Sequence, residues 1–486
     1  MAVEDRRTSE GTVKTELREN AVGLPGMLMQ GIATIAPAFA ILASFVFIVG
    51  FAGIVTPWAY LFGGALLALQ ALNAAQLAKV FPSAGGWYTW IARALHPRAG
   101  FFAGVLFSFW LPPVGALTLS LLAKTVLEPS IQSQYGVTIW WWLWVVAGLA
   151  LVIYFAYQGI VLSEKALIIT GTIEIVIMVA LALTGLADPG PGGFSLAPLN
   201  PGNFGLATNL FLGIVFSIFA FSGWESTGPL AEESKNPKRN VPIGLVGSVI
   251  ILMIYFVLVT WGYLVGIGVD KVAATANPNA PWPVAVLAER VWGSAWVFLL
   301  FALLNSAIAV SIACFNGGTR TWYAMGRSGV LPSALGKVNP AKKTPVNAIH
   351  LEVIVNVVAF ACVLIWGVTD VFFTWASAIT LWLVLMYILA NIGVVKYYWT
   401  EARDQFNWLL HAVIPVVATA AGVVVVWKSY FSPFPNPKTG PVYWSLLVSG
   451  ALLVITIGAL IYLRVTGKEE WMRKAQLVFE QSGGGH

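Results

Sequence analysis

Charged residues are scarce in this chain. Asp, Glu, Lys and Arg make up 10% of its 486 residues, against roughly 25% in an ordinary soluble domain, which excludes a soluble globular enzyme. Cysteine is almost missing: Cys314 and Cys362 both fall inside apolar stretches, so no disulfide framework is implied. None of the four histidines, His96, His350, His411 and His486, has a second metal ligand at i+4. There is no Cys/His cluster, no G-x-S-x-G and no phosphate-binding P-loop. Enzyme chemistry therefore lacks support, and neither a cofactor nor a metal is expected. Polar stretches reach only about 20–30 residues, too short for an independent core. The first 20 residues are polar and of mixed charge, so no cleavable signal peptide is expected.

What the chain has instead is long apolar runs. Hydrophobic residues make up 58% of it. A hydrocarbon core about 30 Å thick takes about 20 apolar residues per helix, and backbone polar groups in lipid must be satisfied within their own segment. The pattern predicts an all-α polytopic membrane protein of about 12 transmembrane helices, at 24–50, 54–79, 99–127, 139–158, 161–186, 207–231, 243–267, 284–316, 348–366, 371–396, 406–428 and 442–464. Numbering these as spans 1 to 12 and placing the N-terminus in the cytoplasm puts 22 Lys and Arg on the cytoplasmic side and five on the other. That split fits the positive-inside rule with both termini cytoplasmic. The net charge of +6 thus follows topology, and no nucleic-acid partner is expected. Residues 1–23 read as a cytoplasmic tail, 24–465 as the membrane domain and 466–486 as a second tail ending in a linker-like Ser482–His486. The loop Lys79–Arg98, with its Gly-Gly pair and aromatics, predicts a short interfacial helix.

Two spans carry breaks. Span 1 reads Gly31-Ile32-Ala33-Thr34-Ile35-Ala36-Pro37-Ala38, and Pro37 removes a donor and disfavours helix at Ala36. Span 6 packs two glycines, a proline and a carboxylate into Phe219–Pro229, including Ser222, Gly223, Trp224 and Glu225. The breaks lie five spans apart, at matching positions if spans 1–5 and 6–10 are inverted repeats and spans 11–12 accessory. Interrupted helices at matching places point to a transport site. Ionisable groups inside a membrane are rare and usually functional, which singles out Glu174 in mid-span 5 and Glu225 at the second break. Each could hold a proton or ligate a cation through oxygen. Trp110, Phe219, Trp224 and Trp375 stand where an aromatic wall would meet an organic cation. The structural alternatives are a helix cap for Glu225, an interhelical hydrogen bond for Glu174, and packing for the aromatics.

Three motifs carry a family resemblance. Phe81-Pro82-Ser83-Ala84-Gly85-Gly86-Trp87-Tyr88 follows span 2. Phe221-Ser222-Gly223-Trp224-Glu225 runs on into Glu232-Glu233-Ser234-Lys235-Asn236-Pro237. Arg320-Thr321-Trp322-Tyr323-Ala324-Met325-Gly326-Arg327 follows span 8. Together they resemble the amino acid–polyamine–organocation transporters, over roughly residues 20–465. The resemblance implies a five-plus-five inverted-repeat fold that works by alternating access. It places the substrate between Ala33, Thr34, Ile35, Ala36 and Pro37 of span 1 and Phe219 to Glu225 of span 6, with Trp110 and Cys314 as flanking wall. In some proton-coupled members a span 5 lysine takes the place of a sodium ion. Glu174 falls near that position, with Ser311 of span 8 expected beside it.

One departure matters. Amino-acid carriers of the family usually show Gly-(Ser/Ala)-Gly in span 1, whose bare amides take the substrate carboxylate, whereas this chain has Ala36-Pro37-Ala38. The expectation is a secondary active transporter of amino acids or related small organic amines in the cytoplasmic membrane, coupled to protons or alternatively to sodium. A polyamine or organocation carrier or exchanger is the nearest alternative, and a substrate-sensing membrane receptor on the same fold is one of a different class.

Overall fold

The computed structural model describes residues 16–276, 282–431 and 440–467; most of the two tails, with Ser482–His486, lies outside them. Apart from one isolated bridge between Val22 and Ser234, the described residues form helices and their connections. Eleven stretches among them are long and apolar enough to cross a membrane. The first, Leu24–Val80, has 57 residues. As one helix it would run about 85 Å, nearly three bilayer cores. It is divided at Gly53, whose φ of 56° ends the helix, and so makes two passes, giving twelve among the described residues.

Span 1 is two half-helices, Leu24–Ile35 (1a) and Pro37–Ala52 (1b). Span 2 is Thr56–Val80. Span 3 is Pro97–Trp110 (3a) and Val114–Leu122 (3b), continuing to Tyr135. Spans 4 and 5 are Trp141–Gln158 and Ile160–Ala187. Span 6 is Leu210–Ala220 (6a) and the tighter 3-10 stretch Trp224–Glu233 (6b). Span 7 is Pro237–Ile267 and the long helix of span 8 is Val297–Arg327. Spans 9 to 12 are Val346–Trp366, Val368–Thr400, the stretch Leu409–Phe431 and Pro441–Val465.

Both expected breaks are present. At the first, Ala36 sits in the left-handed region (φ 58°, ψ 72°) and Pro37 opens 1b. At the second, Gly223 takes φ 138°. A third, at Leu111–Pro113 in span 3, was not read from the sequence, although the Pro112-Pro113 pair explains it: the second proline disfavours helix at the first, and neither donates.

Span 8 runs eleven residues beyond its expected end at 316. Arg320 and Arg327, expected in the following loop, lie in the helix, and Arg320 is buried. A charge can stay there because Glu233 of 6b meets it with two hydrogen bonds, at 2.8 and 3.2 Å. The expected loop helix exists as Trp87–Ala94. Its Trp87 and Trp90 are buried against 6b and not spread along an interface.

The packing repeats under exchange of spans 1–5 with 6–10. Half-helix 1a packs on 6b as 6a packs on 1b. Span 5 packs on spans 7 and 8 as span 10 packs on spans 2 and 3. Span 4 meets span 8 as span 9 meets span 3. Spans 11 and 12 pack on span 10 and leave residues such as Val416, Val424, Val454 and Ile455 exposed, the surface that lipid requires.

Candidate functional site

The two breaks meet. A side-chain carbon at Gly223 would lie 2.5 Å from the Thr34 carbonyl, so only glycine lets the chain of span 6 pass this close to span 1. Beside the contact opens a recess, partly open to solvent, with about 600 Å³ of empty space counting that open part. Seven of the residues expected from the sequence line it: Thr34, Ile35, Ala36, Trp110, Phe219, Ser222 and Cys314. Trp375, singled out as an aromatic, lines it too, with Phe39, Phe372, Val114 and Thr118. Ala33, Pro37, Gly223, Trp224 and Glu225 are not among the lining residues.

Trp224 and Glu225 belong to a cluster behind the wall. Glu225 accepts from the Gly223 N–H at 2.7 Å and from the Tyr387 hydroxyl of span 10. Trp224 stacks on Tyr387 with ring centres 5.7 Å apart. The Trp87 indole N–H donates to the Glu225 carbonyl at 3.2 Å.

Glu174 is buried at the first break. Its Oε1 accepts from the Ala38 N–H (2.8 Å) and the Ser306 hydroxyl (2.7 Å), and its Oε2 from Asn305 Nδ2 (3.1 Å). Ser306 in turn accepts from the Phe39 N–H at 3.1 Å. The span 8 hydroxyl on Glu174 is thus Ser306, while Ser311 donates to Ala307 of its own helix at 2.6 Å and packs on Gly115. Five residues are about 140° around a helix, enough to move Ser311 to another face.

The two breaks are built alike. Each half-helix that starts at a break, 1b and 6b, exposes N–H groups and the positive end of a helix dipole. Each is met by a carboxylate of the chain, Glu174 on Ala38 and Glu225 on Gly223. The ends of 1a and 6a, with their carbonyls, border the recess through Thr34, Ile35, Phe219 and Ala220. The recess hydroxyls donate to their own helices: Thr34 to Gln30, Thr118 to Val114 and Ser222 to Phe219. Their oxygens can still accept, that of Thr34 already taking one hydrogen bond from Ser226. The recess is mostly apolar and aromatic, with these oxygens among its acceptors and no charged side chain in its lining. Among the described residues no cluster of metal ligands occurs.

Sequence reading missed Ser306, Asn305, Gln30, Ser226 and Tyr387. Gln30 donates to the Ala313 carbonyl (2.8 Å) and to Ser226 (3.2 Å), and Thr34 and Ser226 share a hydrogen bond of 2.6 Å, tying 1a, 6b and span 8 together. A signal did exist: the Asn305-Ser306 pair and Gln30 interrupt otherwise apolar runs, where polar side chains serve as interhelical links.

Broken helices packed across each other inside an inverted repeat, beside a recess lined from spans 1, 3, 6, 8 and 10, define a membrane carrier and not an enzyme. The family model described as amino acid permease matches residues 27–462. The chain belongs to that family, within the transporters its three motifs resemble. The low-affinity putrescine importer PlaP of Escherichia coli (strain K12) is 25% identical over 415 residues, covering 82% of this chain and 86% of its own. The branched-chain amino acid permease BcaP of Lactococcus lactis subsp. cremoris is 25% identical, over 78% of this chain and 82% of its own. The glutamate/serine transporter AimA of Bacillus subtilis is 26% identical, over 85% and 75%.

Proposed function

We propose that this permease carries small organic amines across the cytoplasmic membrane by alternating access, with both termini in the cytoplasm and protons as the coupling ion. The carrying observation is that each half-helix N-terminus at the site already holds a carboxylate of the protein. Pro37 has no N–H to give, Ala38 gives its own to Glu174, Phe39 to Ser306, and Gly223 to Glu225. A substrate carboxylate would have to displace one of them. An ammonium group meets what the recess does offer: helix carbonyl ends, hydroxyl oxygens and the faces of Trp110, Phe219, Phe372 and Trp375. The putrescine importer among the relatives fits this reading. The proton reading rests on Glu174, which links span 5, the 1b break and span 8, so that a change in its charge alters all three.

One observation favours an amino acid instead. The Trp375 indole N–H is buried and has no partner, and it is the kind of donor a carboxylate seeks. Thermal unfolding of the purified protein with matched pairs separates the readings: ornithine beside putrescine, and leucine beside isoamylamine. A ligand at a hundred times its Kd stabilises the folded state by about 2.7 kcal/mol. The amine reading expects the decarboxylated member of a pair to raise the unfolding temperature and the amino acid not to. Stabilisation by the amino acids alone would sink it. Uptake of the stabilising compound into proteoliposomes should then follow an imposed pH gradient and be indifferent to sodium.

A further inference from the structure

Span 9 holds a fourth buried carboxyl, Glu352, that neither the motifs nor the recess uses. It is fully buried, and neither of its oxygens has a hydrogen-bond partner. Glu174 has three donors, Glu225 two, and Glu233 has Arg320. An ionised carboxylate with no partner out of water costs several kcal/mol, far more than an unpaired neutral carboxyl, so Glu352 holds a proton in this conformation.

Its surroundings suit a proton that comes and goes. Gly318 of span 8 makes room for it: a side-chain carbon there would lie 2.9 Å from Glu352 Oε2. Gly318 is one helical turn from Cys314, which lines the recess. One turn along span 9, Asn356 accepts from the Ala116 N–H (2.9 Å) and donates to the Pro112 carbonyl (2.7 Å) at the span 3 break. Two positions beyond Gly318, about 200° further around the helix, stands Arg320, bound to Glu233. Cys314, one turn before Gly318, is the titratable group on the same side of span 8. The segment Val114–Leu122 of span 3 carries no titratable residue. Tyr157 of span 4 meets His350 of span 9 in a tilted ring contact, and Tyr387 of span 10 is held by Glu225.

We propose that Glu352 is a proton-carrying site of the transport cycle, filled while spans 8 and 9 are packed as they are here and emptied when the cycle lets water reach the carboxyl. The O–H bond then breaks, the proton leaves to that water, and the carboxylate left behind is hydrated. The transport role rests on the carrier reading above; the protonation state does not.

The test therefore has two arms. Infrared spectroscopy of the protein in lipid vesicles near neutral pH reads the carbonyl stretch of a protonated carboxyl directly, whatever the substrate. Subtraction of Glu352→Gln from wild type should show such a band, and the band should persist in Glu174→Gln. An unchanged spectrum in Glu352→Gln overturns the proposal. If that variant does not fold, Glu352→Asp should shift the band, and an unshifted band overturns it equally. The second arm follows a pH dye trapped in proteoliposomes given external putrescine. If wild type acidifies the lumen, Glu352→Gln should fall to the level of empty vesicles, and acidification at the wild-type rate removes Glu352 from the cycle. If wild type ignores putrescine while the infrared band is present, it is the substrate reading that fails.

Discussion

Glu174 reaches from span 5 to the first amide of 1b that a proton-free Pro37 leaves available, and holds Ser306 and Asn305 of span 8 in the same grip. Such a carboxylate is both a cap and a clamp. Glu174→Gln keeps an acceptor for Ala38 but removes the charge. We expect it to bind substrate with the affinity of wild type and to lose accumulation driven by a pH gradient in proteoliposomes; wild-type accumulation would reduce Glu174 to a structural cap. Gly223 is the second residue whose chemistry is fixed by its place. Its φ of 138° and its contact with the Thr34 carbonyl both exclude a side chain. Gly223→Ala should cost at least the roughly 1–3 kcal/mol of a strained backbone position, read as a lower unfolding temperature. Gly450→Ala in span 12, where nothing lies within 4 Å, should leave it level or raise it. Equal behaviour of the two variants would contradict the close crossing of spans 1 and 6. That Gly223 and Glu174 matter was legible in the sequence, as a turn-prone run and a lone carboxylate in an apolar span. Their partners were not, because each comes from a segment far along the chain.

Half-helix 6b behaves as a unit strapped to span 8. Glu233 takes Arg320 in a fully buried pair, and Glu232 takes Arg327 at 2.5 and 3.0 Å in a half-buried one. The pairs differ in what they are worth. Breaking a buried pair leaves an uncompensated charge and costs about 3–5 kcal/mol, whereas replacing both partners by apolar groups is often neutral. Arg320→Met should therefore lower stability by that amount, and the double variant Arg320→Met/Glu233→Met should recover most of it. Glu232→Gln should cost less, its partner being nearer to water. A double variant no more stable than Arg320→Met alone would show that the two side chains do not act as a pair. The strap also explains the misplaced end of span 8. Read along the chain, Arg320 is a charge that terminates an apolar run; in the fold its counter-charge arrives from a segment 87 residues away in sequence.

At the scale of the whole molecule, the charge split gives the orientation its test. With Cys314 and Cys362 replaced by Ala, a cysteine at Asn200 should react with an impermeant thiol reagent applied to intact cells, and one at Gly467 should react only after the membrane is opened; the reverse pattern would invert the topology. The number of passes, the two breaks, the loop helix and the family were all written in local sequence. Apolar length sets a crossing, proline and glycine set an interruption, and both act within a few residues of themselves. The third interruption was written there too, in Pro112-Pro113, but went unread among the many prolines of membrane helices. What only the tertiary structure decided is which groups share a space. It set Trp224 and Glu225 behind the wall and Trp375 and Phe372 on it. It chose Ser306 over Ser311 as the partner of Glu174, a difference of about 140° around one helix. It also left Glu352 buried without a hydrogen-bond partner. Those outcomes depend on the rotation of each helix about its axis and on contacts across hundreds of residues, and burial turns them into chemistry, because out of water a charge is worth only what its neighbours supply.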